Sequence, residues 1–142
     1  MNPFRNWVAG DFEQQAAHFC VLARDSYGIE LDYSPATLNH LEAFLETQFH
    51  PGSADDNAAL IVAMGCYVGE VIIRTHGGHW SADEEHFHSP AVVIEGKLQV
   101  RTFPVSRVWK RFEYGNKQSL EIYYTEVRGL IGRLEPIPKR LQ

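Results

Sequence analysis

Ala58-Ala59-Leu60-Ile61-Val62-Ala63-Met64-Gly65-Cys66-Tyr67-Val68-Gly69-Glu70-Val71-Ile72-Ile73-Arg74 is the stretch whose reading decides the fold. Drawn as a helix, it carries apolar side chains on every face, so the rest of the chain must enclose it. Asp55 and Asp56 suit its positive end, and Gly77-Gly78 stops it. Gly65 and Gly69 lie one turn apart on the same face. Each costs a helix roughly 1 kcal/mol, and together they invite another element to approach the backbone closely. One residue breaks the pattern: Glu70 is a carboxylate in an apolar run.

Upstream of this core helix the spacing predicts two amphipathic helices. The first spans about Asp11 to Tyr27, with Asp11 as its cap, Phe12, Ala16, Phe19, Cys20 and Ala23 inward, and Gly28 as its stop. The second opens at Ser34-Pro35, with Ser34 at the N-cap and Pro35 in the first turn. It buries Leu38, Leu41, Leu45 and Phe49 and ends at His50-Pro51-Gly52-Ser53. Downstream the period changes to that of strands. Pro90–Ile94 and Lys97–Phe103 flank Glu95-Gly96 as a β-hairpin, and His79–Ala82 supplies a third strand. Pro104 then opens a helix with Val105, Val108, Trp109 and Phe112 inward, and a last helix runs from about Gln118 to Leu130. The expectation is an α+β fold: about five helices around a central apolar helix, with a small antiparallel hairpin or three-stranded sheet. Residues 1–142 form one domain in this reading, with a short arm over 1–9 and an extended tail over 132–142.

The chain has 142 residues, of which 44% are hydrophobic and 22% charged, the balance of an ordinary globular protein. Its net charge of -5 argues against a nucleic-acid partner, because phosphate binding rests on clustered Lys and Arg. The local basic strip of Arg101, Arg107, Lys110 and Arg111 is diluted by Glu113 and Glu121, and is expected to be a solvated helix face. The N-terminus lacks a signal-peptide pattern, and the run Ala58–Gly69 is short for a bilayer span. A cytoplasmic protein without a membrane partner is expected. Cys20 and Cys66 lie in apolar helical stretches without metal spacing, as free thiols do.

The segment Gly65-Cys66-Tyr67-Val68-Gly69-Glu70-Val71-Ile72-Ile73-Arg74-Thr75-His76-Gly77-Gly78-His79-Trp80 resembles a G-x-Y-x-G-E-V-I…G-G-x-W signature of bacterial domains of unknown function. The likeness runs from about Tyr33, through Pro90-Ala91-Val92-Val93 and Pro104-Val105, to Ser119-Leu120…Tyr123. It implies a bacterial source and an α+β fold, and no reaction. The His-rich stretch Glu84–His88 stands outside it.

Two constellations could carry chemistry. Glu70 must be paired or neutral in an apolar interior. Arg74, the N–H groups of Gly77-Gly78 and the Trp80 indole are the partners within reach. With Tyr67, Arg74 and Trp80, Glu70 forms a candidate ligand site. His76, His79, His86 and His88 form a candidate divalent-metal set, since His86-x-His88 puts both imidazoles on one side of an extended segment. No GxSxG elbow, Walker loop, GxGxxG, HExxH or paired CxxC occurs. No catalytic residue and no cofactor is assigned, and the chain leans away from an enzyme. The reading is a non-enzymatic protein-recognition or regulatory module, with a small-molecule or metal site around Glu70 and Trp80 as its alternative. The oligomeric state stays open.

Overall fold

A computed structural model describes residues 3–82 and 89–134, the side chains of 133 and 134 excepted. Its helices are α1 (Ala9–Leu22), α2 (Thr37–Gln48), α3 (Ala58–His76), α4 (Pro104–Tyr114) and α5 (Leu120–Leu134). Its strands are β1 (His79–Ser81), β2 (Ala91–Ile94) and β3 (Val100–Thr102). The strands form one antiparallel sheet in the order β1-β2-β3, with Trp80 opposite Val92 and Val92 opposite Thr102. This is the α+β architecture expected from the pattern, five helices with a three-stranded sheet.

α3 is the centre of the core. Met64, Cys66, Tyr67, Val68, Val71 and Ile72 are fully enclosed, and α1, α4 and β2 pack around them. With its preceding turn the helical stretch Asp55–His76 is longer than the run Ala58–Gly69 suggests, and by length and hydropathy it could cross a bilayer. Here the neighbouring helices and sheet cover it instead. The two helical glycines are where the cover comes closest. A Cβ at Gly65 would lie 2.6 Å from Val105 Cα, and one at Gly69 would lie 2.1 Å from the Trp80 ring and 3.1 Å from Pro104. The first turn of α4 and the Trp80 indole therefore rest directly on the α3 backbone.

Several boundaries differ from the sequence expectation. α1 continues past Leu22 as a π-helical turn over Ala23–Tyr27, and Gly28 ends it at a φ of 67°. Asp11 sits inside the first turn and accepts the Val8 N–H at 2.7 Å, so it caps from within rather than from the N-cap position. Ser34-Pro35 form a turn ahead of α2, where the Ser34 carbonyl accepts the Thr37 N–H and hydroxyl. The strands of the hairpin close at Ile94 opposite Val100. Residues 95–99 are thus a five-residue connection, not a two-residue turn, and Leu98 at its tip is exposed.

Three side chains point elsewhere than their periodicity implied. Trp109 is 38% exposed, because Val105, Val108, Arg111 and Phe112 take the buried face of α4. Leu130 faces solvent, and Ile131 completes the buried stripe of Leu120, Tyr123, Tyr124 and Val127. Arg111, grouped with a solvated basic strip, is 3% exposed. It donates from Nε to Glu42 Oε2 at 2.8 Å and from Nη2 to Glu46 Oε2 at 3.0 Å. Glu42 Oε1 in turn accepts the Leu120 N–H at 3.0 Å, so one carboxylate ties α2 to α4 and to the start of α5. At the other end of the chain, Phe4 is buried against Trp7 and Phe12, so the stretch read as an arm is anchored on the core by Phe4 and Trp7. Residues 132–134, assigned to an extended tail, belong to α5, and 135–142 lie outside the described residues.

The close approaches give a direct test. Gly65→Ala and Gly69→Ala should each lower stability by about 1–3 kcal/mol through overpacking, despite a helix-propensity gain of roughly 1 kcal/mol. Gly129→Ala, in α5 with nothing within 4 Å of its Cβ position, should gain about 0.5–1 kcal/mol. Denaturant melts of the three variants check both signs.

Candidate functional site

Tyr67, Glu70 and Arg74 follow one another at three- and four-residue steps, so α3 presents them along one face. The Gly77-Gly78 turn reverses the chain, and β1 returns Trp80 over Gly69. Glu70, 4% exposed, is engaged at both oxygens. Oε2 accepts the Trp80 indole N–H at 2.8 Å, and Oε1 accepts Arg74 Nε at 3.2 Å. Of the partners within sequence reach, the structure brings in Trp80 and Arg74. These two bonds occupy two of the roughly four acceptor positions of the carboxylate.

Both partners are themselves held. Trp80 stacks on Phe12 with ring centres 4.4 Å apart and planes 7° from parallel. The guanidinium of Arg74 lies over the Tyr33 ring, 3.5 Å from its centre, a cation–π contact that joins α3 to the segment before α2. Tyr33 is the one described non-glycine residue with a positive φ, 67°. Its N–H donates to the Tyr67 hydroxyl at 3.0 Å, which holds this left-handed conformation in place. The Thr37 hydroxyl gives its proton to the Ser34 carbonyl at 2.6 Å. The Tyr67 hydroxyl, 2.6 Å from Thr37 Oγ1, is therefore the donor of that pair. Tyr67 is wholly buried and its hydroxyl is spent inside the fold. The four candidate ligand residues are brought together, as an internal tether running from Phe12 through Trp80, Glu70, Arg74 and Tyr33 to Tyr67.

Ionisation follows burial here. Desolvation pushes the Tyr33 phenol up to about 12 and, with the nearby Glu70 charge, the Cys66 thiol up to about 12. Burial likewise raises Tyr123, whose hydroxyl pairs with Thr102. Cys20 and Cys66 are both free, and burial raises Cys20 too.

Two of the four candidate histidines, His76 and His79, are among the described residues. His76 Nε2 lies 2.8 Å from the Tyr124 hydroxyl, and His79 is exposed on β1. His86 and His88 lie outside the described residues. Among the described residues, no group of three or more His, Cys, Asp or Glu side chains is arranged to hold a metal ion.

A second place on the molecule has a different character. An open cleft of about 360 Å³ is lined by Phe4, Ile61, Val62, Val105 and Trp109, together with Pro3, Ala58, Ser89 and Ser106. Ser89 is 7% exposed, and its Oγ is the only buried side-chain polar atom among the described residues without a hydrogen-bond partner. Sequence reasoning missed this cleft. Its lining comes from four separate stretches of the chain, and the one signal it had, Trp109, was assigned to the core.

The chain matches the family described as Domain of unknown function (DUF3806) over residues 43–124 and belongs to that family. No curated protein and no solved structure matches it. The matched stretch contains Glu70, Arg74 and Trp80, and all of the cleft lining except Pro3 and Phe4.

Two predictions test the tether. Glu70→Ala should cost about 1–3 kcal/mol by leaving the Trp80 N–H without its acceptor. Glu70→Gln, which keeps an acceptor, should cost less, and the order of their melting temperatures decides the point. The raised acids set the pH dependence. A group whose pKa is higher folded than unfolded stabilises the fold below its unfolded value and loses that contribution as pH rises through the folded value. Stability should therefore hold up to the ordinary values of 9.0 for Cys and 10.0 for Tyr and fall as pH approaches about 12. Tyrosinate absorbance should rise together with unfolding for part of the tyrosine set.

Proposed function

We propose that this chain is a non-enzymatic recognition module of a bacterial cell, and that it takes an apolar side chain of a partner protein into the cleft between α3 and α4. The observation that carries this reading is the unmatched Ser89 hydroxyl at an apolar, open cleft. A buried hydroxyl without a partner costs free energy until something supplies one. The backbone N–H or C=O beside an inserted side chain is such a group.

The lining favours a protein partner over a metabolite. Small-molecule sites combine apolar walls with several converging polar groups, whereas the described residues of this cleft offer two serine hydroxyls and no titratable side chain. Trp109, large and 38% exposed at the cleft, is the residue type that most often carries binding energy at protein interfaces. The alternative site at Glu70 draws less support, because its carboxylate already has two partners.

Selection of a displayed random-peptide library on the purified protein tests the reading. Enriched peptides should share one large apolar residue. Trp109→Ala and Trp109→Glu should each weaken their binding by about tenfold or more, with melting temperatures close to wild type. Enriched peptides that bind both variants as well as wild type would overturn it.

A further inference from the structure

We infer that the partner enters the α3–α4 cleft by a free chain end: a large apolar last residue whose α-carboxylate meets the start of α4. This inference rests on the recognition reading above and adds the chemistry of the bound group. Two independent observations meet at the cleft. One is Ser89, 7% exposed, which lines the cleft and whose Oγ has no hydrogen-bond partner among the described residues. The other is the first turn of α4, which supplies Val105 and Ser106 to the same lining.

That turn is uncapped. A helix leaves its first N–H groups without intrahelical partners, so a side chain, water or a ligand has to take them. Pro104 has no N–H to satisfy, and the Arg107 N–H donates to the Phe103 carbonyl at 3.0 Å. Phe103, at the N-cap, gives no side-chain hydrogen bond, and no acid stands in the first turn. The N–H groups of Val105 and Ser106 remain, and among the described residues neither has an acceptor. α4 is 11 residues long, so its aligned peptides place partial positive charge at this end.

These donors select for a carboxylate. Backbone N–H groups only donate, whereas a hydroxyl does either. A peptide group in the middle of a chain brings one carbonyl and adds a donor of its own. A carboxylate brings two oxygens with about four acceptor positions and no donor. It can take both N–H groups and the Ser89 hydroxyl together, and hydrogen bonds to an ionised acceptor are roughly twice as strong as neutral ones. At a chain end the carboxylate and the side chain leave the same Cα. The side chain can then enter between Ile61, Val62 and Trp109 while the carboxylate meets the donors. An Asp or Glu side chain carries the charge without the apolar group. A phosphate accepts only, but the described lining has no basic side chain to balance its larger charge.

Selection on the purified protein with two random-peptide libraries tests this, one displayed with free C-termini and one closed by a linker. The first should enrich for a large apolar last residue, and the second should give weaker binders. The best free-ended peptide is then made as the acid and as the C-terminal amide. The acid should bind about tenfold or more tightly. Ser89→Ala should weaken the acid by about three- to tenfold, with a melting temperature level or raised, because it removes an unmatched buried hydroxyl. Ser106→Asp should also keep or raise the melting temperature, since an acid suits the first turn, yet it should repel the acid peptide far more than the amide. Acid and amide that bind alike, both through Trp109, would overturn the inference and leave the recognition reading standing. An acid preference undiminished in both serine variants would overturn it too, since the carboxylate would then lie elsewhere. Decanoate is the lipid probe: if it bound through Trp109 more tightly than the acid peptide, the carboxylate would belong to a lipid and the inference would fall. If no enriched peptide from either library depends on Trp109, the recognition reading itself fails.

Discussion

A carboxylate in the middle of the most buried helix is the constraint around which this protein is arranged. Glu70 cannot be charged in an apolar interior without partners, and it has two: Arg74 one turn on in the same helix, and Trp80, brought back by a tight turn and a short strand. The Gly77-Gly78 reversal exists at a place that lets Trp80 come back over Gly69, which has no side chain to obstruct it. The indole then satisfies one oxygen from inside, and Arg74 satisfies the other from the half-exposed edge. Because Trp80 also stacks on Phe12, and Arg74 on Tyr33, one charge organises contacts from α1, the segment before α2, α3 and β1. An apolar residue at position 70 would avoid the desolvation cost, but it would give neither Trp80 nor Arg74 a reason to sit where it does. Such a polar contact fixes one arrangement among several that packing alone would allow.

A second polar centre solves a similar problem with a long-range pair. Glu42 and Arg111 are 69 positions apart, both buried, and bonded at 2.8 Å. Buried pairs of this kind gain little net stability over apolar substitutes, but removing one member strands the other. Here the second oxygen of Glu42 takes the Leu120 N–H, one of the donors that the start of a helix leaves without an intrahelical partner. The pair therefore sets the relative positions of α2, α4 and α5 rather than simply adding stability.

These two polar centres show what can be seen in an amino-acid sequence and what cannot. Glu70 was conspicuous because its neighbours in the chain are apolar, and its partners, Arg74 and Trp80, lie within ten positions. Helix and strand periodicity likewise placed all five helices and the three strands, and the Gly65/Gly69 pair announced a close contact before any coordinate. Arg111 gave no such signal. It stands among Arg107, Lys110 and Glu113, where a charged residue is ordinarily solvated, and its burial is decided by Glu42 on a distant helix. Trp109 and Leu130 failed for a related reason. An apolar stripe wider than the contact it faces leaves one edge outside, and only the neighbouring elements determine which edge. Ser89 had no legible signal at all, since an unpaired hydroxyl is a property of its surroundings.

The distribution of satisfied and unsatisfied groups bears on where this protein can bind anything. Binding free energy comes from groups whose needs the free protein leaves unmet. Around α3 the hydroxyls, the indole and the carboxylate have found one another, and a ligand there would exchange one set of hydrogen bonds for another with little gain. At the α3–α4 cleft the balance differs. Apolar walls face solvent, Trp109 is partly uncovered, and the one buried hydroxyl without a partner among the described residues sits between them. The same economy of partners that closes the Glu70 region as a structural centre leaves an unmatched hydroxyl at this cleft among the described residues.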